Sequence, residues 1–147
     1  MTGIVEVSAT PHRDRPLVLL VEDQDDLRQL YARQLVVSGF DVIEAQNGAD
    51  AINQTTAYKP DVVLMDLSLP VIDGWEATRR LKDDAATAHI PVVALTAHDG
   101  SGELQRATRA GCDWFVPKPC PPDALIAEVR RVIDGRSTAG QAGVTEI

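Results

Sequence analysis

Val62-Val63-Leu64-Met65-Asp66 and Leu17-Val18-Leu19-Leu20-Val21-Glu22-Asp23 are two short, continuous apolar runs that each end in acid. Unbroken apolar runs of this length suit strands of a parallel sheet covered on both faces, where an alternating pattern would suit a half-exposed sheet. The C-termini of parallel strands share one edge, so Glu22, Asp23 and Asp66 are expected to converge there. Like charges about 4 Å apart repel by roughly 4 kcal/mol per pair at an effective dielectric of about 20, so such a group calls for a compensating cation. Mg²⁺ is the natural one, because it takes oxygen ligands, keeps several waters and binds through one or two carboxylates plus phosphate oxygens. Phosphate chemistry is therefore the first expectation.

Working outward, further apolar runs occur at 40–45, 92–95 and 114–116, separated by stretches with helical spacing. Leu27, Leu30, Tyr31 and Leu35 form one predicted helical stripe, and Leu125, Ile126, Val129, Val132 and Ile133 another. Gly39 and Gly111 stand where helix ends need a left-handed residue, and Pro60, Pro91, Pro121 and Pro122 punctuate element starts. The result is an α/β domain of five β-α pairs spanning 17–135. Residues 1–16 show no periodicity and are expected to form a disordered leader, and 136–147 a flexible tail. Within the tail no room for an effector domain is expected.

The 147 residues suit one domain with a single sizeable core. With 44% apolar, 24% charged and only 4% aromatic residues, that core should be aliphatic. A formal charge of -8 argues against a direct nucleic-acid surface. Arg130, Arg131 and Arg136 read as the solvated end of a helix rather than a basic stripe. Cys112 and Cys120 make neither a disulfide framework nor a metal-ligand set, which fits a reducing compartment. No apolar stretch approaches the ~20 residues of a membrane span, and the N-terminus lacks a signal-peptide pattern. A cytoplasmic protein without membrane insertion is expected.

Ligands of an open parallel sheet bind beyond the strand C-termini, so the residues there decide the chemistry. They are Glu22 and Asp23, Asp66, Thr96, and Lys118 ahead of Pro119. A carboxylate is an adequate nucleophile toward an activated phosphoryl donor, and such transfer asks the protein mainly for positioning and charge neutralisation. Asp66 would be the acceptor, with Asp23 and Asp66 holding Mg²⁺ and Glu22 acting through a water. Lys118 would pair with the phosphoryl oxygens, and Thr96 would donate a hydrogen bond to them. Singly, a strand-end Asp or Thr is more often a helix cap; the whole set at four strand ends carries the weight.

Four motifs in this order, "LLVEDQ" at 19–24, "VLMDLSLPVIDGWE" at 63–76, "ALTA" at 94–97 and "FVPKP" at 115–119, resemble the receiver domain of two-component response regulators, single-domain type. The resemblance covers 17–135. It implies a flavodoxin-like (βα)5 fold, a doubly wound five-stranded parallel sheet of order 2-1-3-4-5. It further implies that Asp66 accepts phosphate from a histidine kinase or a histidine phosphotransfer protein, in a two-component or phosphorelay system. Glu22, Asp23, Asp66 and the Ser68 backbone carbonyl would hold Mg²⁺, and Thr96 and Lys118 would contact the phosphoryl group. Phe115 matches the aromatic switch position that turns inward as Thr96 moves, and Lys118-Pro119 the family's cis bond. Pro70, Asp73 and Gly74 fit the loop after the acceptor, with Gly74 permitting the turn into the third helix.

Such a protein is a phosphoacceptor switch that assists its own phosphorylation and dephosphorylation, rather than an enzyme. The added charge of about -1.5 to -2 would bias a surface made by the last two helices and the fifth strand toward a downstream protein target or a homodimer. Cys120 departs from the large apolar residue usual after Lys-Pro, and reads as a small core-facing thiol. Trp114 reads equally as partner-facing or packing. His98 lies where the family's side chain borders the phosphoryl site, with loop exposure equally open; His12 and His89 read as bland surface residues. The rival readings are a phosphorylation-independent adaptor, an enzyme of the haloacid-dehalogenase type, and a transcription factor, against which the missing basic effector region counts unless the chain is a receiver fragment of a longer regulator. The dehalogenase reading wants an acid where Ser68 stands, and the adaptor reading sits poorly with an intact acid set.

Overall fold

Five strands and five helices alternate along the chain of the computed structural model, which describes residues 15–97 and 102–137. They are β1 (Leu17–Val21), α1 (Asp25–Val37), β2 (Asp41–Ala45), α2 (Gly48–Tyr58), β3 (Val62–Asp66), α3 (Gly74–Asp83), β4 (Val92–Ala97), α4 (Glu103–Ala110), β5 (Trp114–Lys118) and α5 (Pro122–Ser137). The strands form one parallel sheet of order β2-β1-β3-β4-β5, as the resemblance implied. Every residue of β1 and β3 is buried, which only a sheet covered on both faces can achieve.

Successive side chains of a strand point to opposite faces, and the core divides accordingly. Val18, Leu20, Val62 and Leu64 pack with Tyr31 and Leu35 of α1 and Leu125, Val129 and Val132 of α5. Leu19, Val21, Val63 and Met65 pack on the other face with Ala51 of α2, Ala77 and Leu81 of α3 and Ala107 of α4. Both clusters are mainly aliphatic, as the composition suggested, with Tyr31 and Phe40 as buried aromatic members of the first. Leu30 is the exception to its stripe: it is 40% exposed, and the inward position next to Tyr31 belongs to Arg28.

Gly39 (φ 106°) and Gly111 (φ 104°) are left-handed, as the sequence predicted. After α1 the Phe40 amide donates to the Leu35 carbonyl, closing the helix end. Arg15 and Pro16, assigned to the expected leader, make ordered contacts. Arg15 donates to the carbonyls of Val36 and Phe40 at 2.7 and 3.0 Å, and the Pro16 carbonyl accepts from the Asp41 amide. The last helix also continues through Gly135 to Ser137, two residues into the expected tail. Residues 1–14 and 138–147, and with them the rest of both segments, lie outside the described residues, as do His12 and His98.

Candidate functional site

The site is assembled where β1, β3, β4 and β5 end. Val21 pairs in register with Met65, so Glu22 and Asp66 follow side by side on neighbouring strands. Asp66 pairs with Leu95, placing Thr96 one residue further along the same edge, and Ala97 pairs with Lys118. The sheet register alone therefore gathers the sequence-predicted acids, hydroxyl and cation.

The charged side chains converge at this edge. Carboxylate oxygens of Glu22, Asp23 and Asp66 all lie within 4.8 Å of one another. Glu22 is fully buried and Asp66 is 3% exposed, whereas Asp23 is exposed and opens the group to solvent. Lys118 Nζ stands 3.3 Å from Asp66 Oδ1 and 3.5 Å from Glu22 Oε1. The Ser68 amide donates to Asp66 Oδ1 at 3.3 Å, and the Gln24 amide to Glu22 Oε2 at 3.2 Å. Glu22 Oε1 is buried without a hydrogen-bond partner among the described residues; Lys118 at 3.5 Å is its ion-pair neighbour rather than a well-formed donor. Among the described residues Lys118 thus pairs with two of the three clustered carboxylates, and a buried oxygen is left over. Oxygen donors in excess of cation are the donor set that Mg²⁺ takes, so the residues present fit that ion.

The ionisation behaviour follows from this shortage of positive charge. Burial first, and then the Asp66 charge, push Glu22 up to about 7. Burial also raises Asp66, outweighing the opposing effects of Lys118 and the Ser68 amide. Burial works against the Lys118 charge, but Asp66 and Glu22 overcome it and hold the ammonium above the ordinary lysine range. Perturbation of several adjacent groups in one cleft is a mark of functional sites.

The loop after Asp66 is built by a close backbone approach. A Cβ on Gly74 would lie 2.4 Å from the Asp66 carbonyl oxygen and 2.6 Å from Leu67 Cα. Gly74 is therefore required by contact rather than by an unusual turn conformation, which corrects the sequence reading. Asp73 caps α3 by accepting from the Glu76 amide at 2.9 Å. Val71 is held at φ 70° and is exposed, a conformation that costs a β-branched residue on the order of 1–3 kcal/mol. Phe115 is half-buried against the cluster that contains Val63, Met65 and Trp75, and Trp114 packs against the opposite cluster. Lys118-Pro119 is cis. His89 is exposed, and Cys120 is partly buried against the core.

Arg28 escaped the sequence reading. It is 6% exposed, pairs with Asp25 at 2.7 Å and Glu44 at 3.0 Å, and donates to the Glu22 carbonyl at 2.9 Å. It thereby fixes the loop bearing the acid pair. A signal existed: position 28 is one turn before Tyr31 and two before Leu35, so helical spacing places a charge on the buried face.

Comparison with known proteins agrees with this geometry. The pattern of the family described as response regulator receiver domain matches residues 18–130. The polar-differentiation response regulators DivK of Brucella anthropi and Brucella ovis are each 34% identical over 113 residues, which is 77% of this chain and 92% of theirs. Among solved structures, the receiver domain of a sensor histidine kinase from Pseudomonas aeruginosa, with a magnesium ion coordinated in its active site cleft, aligns with TM-score 0.77 and 29% identity, covering 82% of this chain and 99% of that one. The receiver domain of a signal transduction histidine kinase from Syntrophus aciditrophicus aligns with TM-score 0.76 and 26% identity, covering 90% and 94%. Among the described residues no helix is long and apolar enough to cross a membrane.

Proposed function

Because the chain belongs to the response regulator receiver domain family of two-component signalling, we propose that Asp66 is its phosphoacceptor. The observation that carries this reading is the meeting of Lys118 with Asp66 and Glu22 in a cleft that holds more carboxylate than cation. An Asp66 carboxylate oxygen attacks the phosphorus of a phosphohistidine on a histidine kinase or histidine phosphotransfer protein. The O–P bond forms as the P–N bond breaks, and the imidazole leaves with the electron pair.

Glu22, Asp23, Asp66 and the Ser68 carbonyl would hold Mg²⁺, which supplies neutralisation of the phosphoryl charge. The protein's own groups do the rest. β3 and the Ser68 amide fix the Asp66 carboxylate, and Lys118 offers a compact ammonium already within ion-pair distance of it. Thr96 donates to a phosphoryl oxygen, and its movement draws Phe115 inward. The surface of α4, β5 and α5 then changes its affinity for a downstream protein or a second copy of the chain.

Incubation with Mg²⁺ and acetyl phosphate should add one phosphoryl mass to the wild-type protein and none to Asp66→Asn. Undiminished addition to the variant would overturn the assignment.

A further inference from the structure

Lys118 serves the acceptor only if the chain carrying it is held in place, yet β5 is an edge strand and ends at Lys118. Next comes Pro119, which has no N–H to anchor it, and then Cys120. The anchor of this turn comes from α1. The Tyr31 hydroxyl donates to the Cys120 carbonyl oxygen at 2.8 Å, and the Tyr31 ring is 3% exposed in the same cluster as Leu125 and Val129. Burial raises the Tyr31 phenol above its ordinary value, so it remains a protonated donor through the neutral range.

The helix that presents this hydroxyl is itself tied to the acid pair. One turn before Tyr31, Arg28 Nη1 donates to the Glu22 carbonyl, and the two positions are neighbours on one helix face. A single rigid element therefore grips both the loop that carries Glu22 and Asp23 and the turn that follows Lys118. An aliphatic side chain could fill the same core volume; only the hydroxyl makes the second grip.

We propose that Tyr31 is a positioning residue for phosphoryl acceptance, a role that rests on the reading of Asp66 as acceptor: its hydroxyl holds the Cys120 carbonyl and thereby the reach of Lys118 to Asp66. The test compares wild type, Tyr31→Phe, Lys118→Ala and the double variant for the rate of phosphorylation by acetyl phosphate at fixed Mg²⁺, well below the unfolding temperature. Tyr31→Phe keeps the ring and removes one neutral hydrogen bond, so the rate should fall about three- to tenfold. In the Lys118→Ala background the same change should alter the rate by less than about twofold, because the hydroxyl acts through the lysine. The Lys118 side-chain NMR signal should also move in Tyr31→Phe. A hydroxyl that only stabilises the fold would lower the melting temperature and leave the rate and the Lys118 signal at wild-type values, and that result would overturn the proposal. Equal slowing in both backgrounds would overturn it too. Failure of wild type to accept phosphate would instead sink the acceptor assignment, and the positioning role with it.

Discussion

Replacing Glu22 by Gln should stabilise the metal-free protein, and increasingly so as the pH rises. Glu22 is fully buried, and its acidity is weakened from the ordinary 4.5 to about 7 by burial and by Asp66. A carboxyl whose folded pKa lies above its unfolded one binds protons more readily in the native state. Its stabilising contribution is therefore present at low pH and is lost as the pH rises from about 4.5 through about 7. Once ionised, Glu22 weakens the fold by up to roughly 3 kcal/mol. Solvent entering beside exposed Asp23 screens part of this, which leaves about 1–3 kcal/mol. Gln resembles the protonated acid in shape and keeps an oxygen for the Gln24 amide. The gain from Glu22→Gln in urea denaturation with chelator should thus grow from under about 1 kcal/mol at pH 5 to about 1–3 kcal/mol at pH 8. Saturating Mg²⁺ at pH 8 should reverse the order, since a ligand of the native state stabilises by mass action and the variant binds it more weakly. A pH-independent effect, or loss of stability at pH 8 without metal, would refute the charge shortage inferred for this site.

Gly74→Ala should cost about 1–3 kcal/mol and slow phosphorylation, because its Cβ meets the backbone of Asp66 and Leu67 rather than a movable side chain; unchanged melting and rate would contradict the close approach. Arg28→Met should destabilise by about 1–3 kcal/mol in urea, less than the roughly 3–5 kcal/mol of a fully buried broken pair. The Asp25 and Glu44 side chains are 70% and 44% exposed and rehydrate, so the orphaned Glu22 carbonyl makes most of the cost. Lys118→Arg keeps the charge but not the compact ammonium, so it should still accept phosphate while losing much of the beryllofluoride-induced shift of amides around Phe115. Wild-type shifts at equal occupancy would reduce Lys118 to a charge neutraliser.

The parallel sheet was legible because unbroken apolar runs such as 17–21 and 62–65 have few other uses, and the strand ends followed from it. The acid cluster and Lys118 were legible for the same reason: sheet register, not long-range docking, brings them together. What escaped depends on contacts between distant segments. Arg15 looked like part of a leader because its acceptors, the carbonyls of Val36 and Phe40, lie more than twenty residues away, in the last turn of α1 and just beyond it. Leu30 looked inward because a stripe of four apolar residues is wider than the face α1 buries, and Arg28 took the remaining place with partners from α1 and β2. Gly74 was recognised as necessary, but a backbone collision with Asp66 leaves no trace in local composition. Lys59 ends α2 in the left-handed region at φ 47° without a glycine to announce it.

Reductive trapping of the acyl phosphate tests the acceptor most directly. Wild-type protein phosphorylated with acetyl phosphate and Mg²⁺ is treated with borohydride, which converts an aspartyl phosphate to homoserine, and the peptides are mapped by mass. Homoserine at position 66 alone, absent when Mg²⁺ is chelated, is the expected result. Trapping at Asp23 or another acid, or phosphorylation that proceeds without any conversion at position 66, would contradict the assignment of Asp66 as the residue that takes the phosphoryl group.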